Sequence, residues 1–306
     1  MSEADPVRRT FEIEDPTNLW FIHPISARLV PVFAKAGVTP NTVSFLGMGC
    51  GLLAGVFYHF YPFTGCDLAG FALMLGWHVM DGADGQLARL TKTYSELGKV
   101  LDGICDYVTF TAVYVGLGLA LSARLGGWVW WLIALSGICH AVQSAAYELQ
   151  RQNYNFLGWG RESAALPKPE LPPPGLGWRR RLAAGLNLLY VRVQLFASGG
   201  AETFNAEFAA LLAERPQAQD ALRAVYREYF APVIRRWGVL SANYRTLGIF
   251  LAALAGLPLL YFLFEIAGFS VILVLLLQAR KAQNAGFLAR LRQAEGLGQM
   301  LMPARQ

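Results

Sequence analysis

Long apolar stretches separated by short polar segments dominate the first half of the chain and return near its end. Crossing a hydrocarbon core of about 30 Å takes about 20 residues of α-helix. Six stretches are close to that length: residues 43–62, 68–89, 98–121, 128–149, 246–265 and 267–283. Composition agrees, because 55% of the residues are hydrophobic, 15% are charged and the mean hydropathy is +0.36. The pattern predicts an all-α integral membrane protein with six transmembrane helices.

The N-terminal region is apolar but too interrupted for a membrane-crossing helix. The run 16–36 is broken by two prolines and two basic residues: Pro24, Arg28, Pro31 and Lys35. Such interruptions favour a helix that lies in the membrane interface. We therefore predict a cytoplasmic N-terminus and an interfacial amphipathic helix within residues 1–42, with Thr39 or Asn41 capping the first transmembrane helix.

Residues 150–245 form the least membrane-like part of the chain. A proline-rich run at 167–175 is followed by segments that mix apolar and charged residues at helical spacing. We predict a helical insertion, cytoplasmic or interfacial, between the fourth and fifth transmembrane helices. An alternative is that its arginines, including residues 179–181, bind an acidic acceptor or lipid. The remaining boundaries are transmembrane helices 1–4 within residues 43–149, helices 5 and 6 within 246–283, and a cytoplasmic tail over 284–306.

Basic residues are distributed unequally between the two sides of the predicted helix bundle. With a cytoplasmic N-terminus, Arg124 is the only one of the 26 Lys and Arg residues on the outer side. Positive residues accumulate on the cytoplasmic side of membrane proteins, so this orientation is favoured. The basic inner face suits anionic lipid head groups and phosphorylated substrates. We expect membrane lipids as partners and no nucleic acid.

Four aspartates lie where the second predicted helix ends and the third begins. Asp81 and Asp84 share one face of the second helix, and Asp102 and Asp106 lie one turn apart on the third. Because the intervening turn is short, we expect the two helices to be antiparallel and the four carboxylates to converge. Like charges near a membrane repel one another and are costly. The cluster therefore predicts bound cations.

The chemistry of the cluster favours hard divalent cations. Carboxylate oxygens suit Mg²⁺ or Mn²⁺, and four carboxylates can hold two metals that clamp a diphosphate. Arg89, near the helix end, could contact a phosphate, and Asp106 could act as a general base. Small residues leave space beside the aspartates: Gly85, Ala88 and Gly98. The alternative from another class is a cation-coupled transporter with the aspartates as its ion site.

These residues resemble the signature of the CDP-alcohol phosphotransferase family, D-x2-D-G-x2-A-R-x7–8-G-x3-D-x3-D. Its eight fixed positions are matched without a departure by Asp81, Asp84, Gly85, Ala88, Arg89, Gly98, Asp102 and Asp106. The resemblance covers the first three predicted helices and the run from Pro40 to Ser44. It implies an enzyme that moves a phosphatidyl or phosphoalcohol group from a CDP-linked donor to an alcohol and releases CMP.

The same resemblance assigns roles to individual positions. Two divalent cations, Mg²⁺ or Mn²⁺, would be bound by the metal ligands Asp81, Asp84, Asp102 and Asp106. Asp106 would also be the catalytic base. The donor site would comprise Asn41, Thr42, Val43, Ser44, Gly85, Ala88, Arg89, Ser95 and Gly98. A homodimer is also implied.

Substrate identity stays open at the level of sequence. The donor is either CDP-diacylglycerol or a CDP-linked head group. Acceptor recognition is a candidate role for polar residues of the fourth predicted span, with helix–helix hydrogen bonding as the alternative. These residues are His140, Gln143, Ser144, Tyr147, Glu148 and Arg151. Lesser candidates are Asn243, Tyr244, Arg245, Arg280, Lys281 and Asn284, although the basic pair 280–281 fits a topology anchor better.

Overall fold

The computed structural model describes residues 10–93, 96–161, 164 and 201–301, with scattered positions from 175 to 193. Within these residues the protein is helical and has no strand. In unit 1 we number α1 His23–Lys35, α2 Pro40–His59, α3 Cys66–Thr91, α4 Glu96–Leu125, α5 Val129–Asn153, α8 Ala242–Leu254 and α9 Pro258–Leu263. In unit 2 we number α6 Ala201–Glu214, α7 Gln219–Trp237 and α10 Phe269–Leu301. Unit 1 comprises Met1–Ala141 and Val239–Gly268, and unit 2 comprises Val142–Gly238 and Phe269–Gln306, so α5 continues from the first into the second.

Several helices have the length and composition of membrane spans. Among the described residues they are Pro40–His59, Leu101–Leu125, Val129–Gly158 and Pro258–Gln293. These segments also expose large apolar side chains, among them Trp131 and Leu275. The chain is therefore an all-helical, multi-pass integral membrane protein, whereas the count of six transmembrane helices stays a prediction. The helix α3, which carries two of the four aspartates, has 26 residues and is about 39 Å long.

The boundary between the last two predicted spans is wrong. The sequence predicted a turn near residue 265, but α8 ends at Leu254 and the chain turns at Gly256, whose φ is 72°. Glycine adopts this left-handed conformation without strain, and Pro258 then begins the next helix. Residue 265 lies instead in the π-helical turn Phe264–Gly268 that leads into α10. With 13 residues, α8 is only about 20 Å long.

The first helices of unit 1 pack closely enough to exclude side chains. The long helix α2 packs along both α3 and α4, and α1 packs on α3. A Cβ at Gly116 would lie 2.8 Å from the carbonyl carbon of Gly55, so only glycine permits this approach of α4 to α2. The N-terminus of α2 is capped by Thr39, whose hydroxyl accepts a hydrogen bond from the Thr42 amide at 3.3 Å. This confirms the first of the two predicted caps.

In unit 2, aromatic side chains surround a buried arginine. The helices α6, α7 and α10 pack together, and the rings of Phe208, Tyr226 and Phe287 lie in mutual contact. Arg280 is 2% exposed, lies 4.1 Å over the ring of Phe230 and donates to the Tyr226 hydroxyl at 3.3 Å. Its interpretation as a topology anchor is therefore wrong, because the aliphatic stem and guanidinium are enclosed by packed helices. The neighbouring Lys281 is exposed.

Candidate active site

The carboxylates of α3 and α4 converge in unit 1. Asp81, Asp102 and Asp106 each place one carboxylate oxygen within 4.8 Å of the corresponding oxygens of the other two. All three side chains are half-buried. The chain can bring them together because α3 ends at Thr91, and the capping residue Lys92, whose left-handed φ is 54°, turns the backbone towards α4. Convergence from two helices, which the spacing predicted, is therefore observed for three of the four aspartates.

The fourth aspartate faces a different partner. Asp84 is 6% exposed, and its carboxylate accepts a hydrogen bond from the Ser44 hydroxyl on α2. The Ser44 oxygen also lies 3.2 Å from the Pro40 carbonyl oxygen, in the preceding turn of its helix. Asp84 is outside the group of three, so the structure does not bring all four predicted metal ligands to one point.

Gly85 leaves a space beside the aspartates, and the guanidinium of Arg89 lies over that space. A Cβ at Gly85 would lie 3.4 Å from Nη1 of Arg89, so the guanidinium lies directly above this glycine. Both residues are half-buried, as are Ala88 and Gly98. An arginine in this position offers planar N–H donors to a phosphate that approaches the aspartates.

The residues predicted to line the nucleotide, from Asn41 to Ser44, differ in their exposure to solvent. Asn41 is half-buried and Thr42 is exposed, with its hydroxyl 2.9 Å from that of Thr39. Val43 is fully buried in a small apolar cluster with Ala83, Leu87 and Val30. Its side chain therefore packs α2 against its neighbours and offers no surface to a nucleotide. Ser95 lies outside the described residues.

Two of the six polar candidates in the fourth predicted span, all within the described residues, contact a neighbouring helix. His140 Nδ1 lies 3.0 Å from the Tyr114 hydroxyl, and in unit 2 Gln143 donates to the Ser270 hydroxyl at 3.1 Å. Glu148 and Arg151 form an ion pair at 3.3 Å along one helix. These observations favour the helix–helix alternative for His140 and Gln143.

One buried ion pair was missed by the sequence reasoning. Arg245 and Glu265 are both fully buried and lie 3.1 Å apart, from Nε to Oε1. Tyr114 and Tyr261 donate to the other oxygen of Glu265. Arg245, a candidate for acceptor recognition, is thus already occupied by a structural partner. The available signal was Glu265 itself, because an ionisable residue inside an apolar run is expected to have a partner.

The three converging aspartates fit a hard divalent cation. Their carboxylate oxygens are the ligand type that Mg²⁺ and Mn²⁺ prefer. The three side chains come from two helices and are half-buried, so solvent reaches them. Three negative charges this close repel one another strongly, and a cation removes that repulsion. The residues present therefore suit a metal site.

Comparison with known proteins agrees with this geometry. Residues 37–163 match the family model for CDP-alcohol phosphatidyltransferase. The inner membrane protein YnjF of Escherichia coli is 29% identical over 141 residues, which are 44% of this chain and 65% of the relative. Cholinephosphotransferase 1 of Mus musculus is 28% identical over 107 residues, 32% of this chain and 26% of the relative. Phosphatidylinositol phosphate synthase of Mycobacteroides abscessus is 31% identical over 107 residues, 35% of this chain and 42% of the relative.

Each of these alignments spans less than two thirds of the relative's own length. The segment matched by the family model contains α2, α3 and α4 and every signature position from Asp81 to Asp106. The sequence signature, the convergence of three aspartates and the family match thus concern the same helices. Residues 37–163 are therefore similar to the CDP-alcohol phosphatidyltransferase family in both sequence and site geometry.

Proposed function

We propose that this protein is a divalent-metal-dependent phosphotransferase of membrane lipid synthesis. It moves a phosphatidyl or phosphoalcohol group from a CDP-linked donor to an alcohol hydroxyl and releases CMP. The single observation that carries the proposal is the convergence of Asp81, Asp102 and Asp106 at the family signature. A signature alone gives spacing, whereas the convergence of the carboxylates supports a single site for metals and a donor diphosphate.

The transfer forms one phosphorus–oxygen bond and breaks another. The acceptor hydroxyl attacks the donor phosphorus that bears the alcohol, and the bond from that phosphorus to the bridging oxygen breaks. The bridging oxygen leaves with CMP, and the hydroxyl proton goes to a base. We assign that base to Asp106, because its carboxylate lies at the cluster and a positioned carboxylate can accept a proton in the transition state.

Other residues of the chain bind and orient the donor. Arg89 holds a phosphate oxygen through its N–H groups, above the space left by Gly85. Ser44 fixes the orientation of the Asp84 carboxylate from α2. Asp81, Asp84, Asp102 and Asp106 are the residues that would hold two divalent cations. When bound, Mg²⁺ or Mn²⁺ would neutralise charge that develops on the diphosphate.

Orientation and assembly belong to the same proposal. The excess of basic residues on one side favours a cytoplasmic position for the turn between α3 and α4, and hence for the site. We also propose a homodimer, as the family resemblance implies. Light scattering of the purified protein, after correction for bound detergent, measures the number of chains directly.

A donor and acceptor matrix tests the proposed reaction. Purified protein in lipid nanodiscs is incubated with Mn²⁺ and either CDP-diacylglycerol with soluble alcohols and sugar phosphates, or CDP-choline and CDP-ethanolamine with diacylglycerol. We expect CMP release with one donor class, and mass spectrometry of the lipid product then identifies the acceptor. Absence of CMP from every combination, with folded protein that binds Mn²⁺, would overturn the transferase and leave cation transport as the alternative to measure.

A further inference from the structure

Two consecutive residues at the start of α8 are linked to both helices that carry the clustered aspartates. The Thr246 hydroxyl lies 2.9 Å from Nε2 of His78 on α3. The adjacent Arg245 is paired with Glu265, which in turn accepts a hydrogen bond from Tyr114 on α4 at 3.2 Å. One polar path therefore runs from α3 through α8 to α4 within unit 1.

The polar path meets α3 and α4 within about two helical turns of the aspartates. His78 precedes Asp81 by three residues, which is about one helical turn, and Tyr114 follows Asp106 by eight residues, or about 12 Å along α4. The ring of Phe110 also contacts that of Trp77, the neighbour of His78, edge to face with the ring centroids 5.3 Å apart. These contacts lie within about two helical turns of the carboxylates.

Every member of the path is shielded from solvent. Arg245 and Glu265 are 0% exposed, and Thr246 and His78 are also buried. Buried hydrogen bonds are directional and costly to leave unmade, so they are sensitive to small displacements of the helices that carry them. The path therefore adds directional contacts between α3, α8 and α4 to the close packing of these helices.

We propose that Thr246 and Tyr114 are positioning residues that set the distance of Asp81 from Asp102 and Asp106. Three like charges within 4.8 Å push the two helices apart unless something holds them. The polar path opposes that repulsion and keeps the carboxylates spaced for a divalent cation. This inference rests on the proposed metal-dependent transfer, but metal binding tests it separately from turnover.

Thr246→Val is the direct test because it keeps the shape of the side chain and removes the hydroxyl. Mn²⁺ affinity is measured by electron paramagnetic resonance on protein in nanodiscs, and the KM for Mn²⁺ and kcat are measured in parallel. We expect Mn²⁺ to bind about three- to ten-fold more weakly, the effect of one lost buried hydrogen bond on the geometry. Thr246→Ser, which retains the hydroxyl, is expected to bind Mn²⁺ as the wild type does.

Tyr61→Phe is the matched control in the same unit. The Tyr61 hydroxyl accepts a hydrogen bond from Arg124 at 2.9 Å, at the opposite end of α4 from the aspartates. Its loss is expected to lower the Tm without changing Mn²⁺ affinity. Tyr114→Phe removes the other end of the path while keeping the ring, so it provides a second test if the valine variant does not fold.

The outcomes separate the inference from the proposed function. Weaker Mn²⁺ binding by both Thr246→Val and Tyr114→Phe, with rescue by serine at 246, supports the positioning role even if the wild type releases no CMP. Wild-type Mn²⁺ affinity in either folded variant overturns it, and so does an equal loss in Tyr61→Phe. A wild-type protein that does not bind Mn²⁺ overturns both the inference and the proposed metal dependence.

Discussion

The Ser44 hydroxyl on α2 donates a hydrogen bond to the buried carboxylate of Asp84 on α3. Ser44 lies four residues after Pro40, in the first turns of α2, and Asp84 lies one turn after Asp81. The contact therefore ties the entry of α2 to the helix that carries the aspartates. It also gives the Asp84 carboxylate a hydroxyl donor from a third helix.

Removing this contact should impair the site with little effect on the rest of the fold. In Ser44→Ala, the Asp84 carboxylate loses one donor, and we expect kcat/KM for CMP release to fall about ten-fold, equivalent to about 1.4 kcal/mol. Ser122→Ala is the control, because that hydroxyl donates within its own helix, to the Leu119 carbonyl 3.1 Å away. A ten-fold loss in both variants would contradict a specific role for Ser44.

The carboxylate assigned as base should be needed for turnover. Asp106→Asn keeps the size of the side chain but cannot accept the proton, so we expect kcat to fall about 100- to 10,000-fold. The control is Asp67→Asn, at the opposite end of α3, which is expected to retain turnover within about two-fold. Near-normal kcat for Asp106→Asn in the CMP assay would move the base to another residue.

Local regularities explain which parts of the site the sequence could predict. Aspartates at i and i+4 lie on one helix face in any α-helix, and a short turn returns the chain antiparallel. The meeting of Asp81, Asp102 and Asp106 follows from those two facts. The orientation of Asp84 does not, because it depends on where α2 packs, and that placement is decided by glycine contacts distant in sequence.

The sequence does not reveal the partners of charged residues inside apolar segments. The sequence makes Arg245 a lesser candidate for acceptor recognition and Arg280 a topology anchor. The structure places the first against Glu265 and the second over Phe230. A basic residue at a helix end looks the same in sequence whether it faces water or a partner 20 residues away. Only tertiary packing distinguishes the two.

Divalent metal should stabilise the folded protein independently of any substrate. A ligand at 100 times its Kd adds about 2.7 kcal/mol to the free energy of unfolding, which corresponds to a Tm increase of roughly 5 °C. We expect this increase with Mn²⁺ in scanning fluorimetry and its reversal by chelator. Asp102→Asn should reduce the shift, and an undiminished shift in that variant would place the metal elsewhere.

Labelling of single cysteines tests the orientation in the membrane. In a background with the four native cysteines replaced, Thr93→Cys reports on the turn after α3 and Gly127→Cys on the loop after α4. Both positions are exposed. The charge bias predicts that an impermeant maleimide labels residue 93 only in inside-out vesicles and residue 127 only in right-side-out vesicles. The reverse pattern would place the aspartates on the outer face.

The space at Gly85 should matter for donor binding. In Gly85→Ala, the added methyl group meets Nη1 of Arg89 at 3.4 Å, so it makes van der Waals contact with the guanidinium and fills the space between the guanidinium and the helix. We expect the KM for the CDP-linked donor to rise about five- to ten-fold, with kcat less affected, because an arginine that binds phosphate bidentately tolerates little displacement.

Gly103→Ala on α4 is the matched control, because a Cβ there meets nothing within 4 Å. Both substitutions remove a helical glycine and should stabilise their helices similarly, by up to about 1 kcal/mol. Their difference in KM therefore isolates the contact with Arg89, and equal KM values in the two variants would show that the space at Gly85 is not used by the donor.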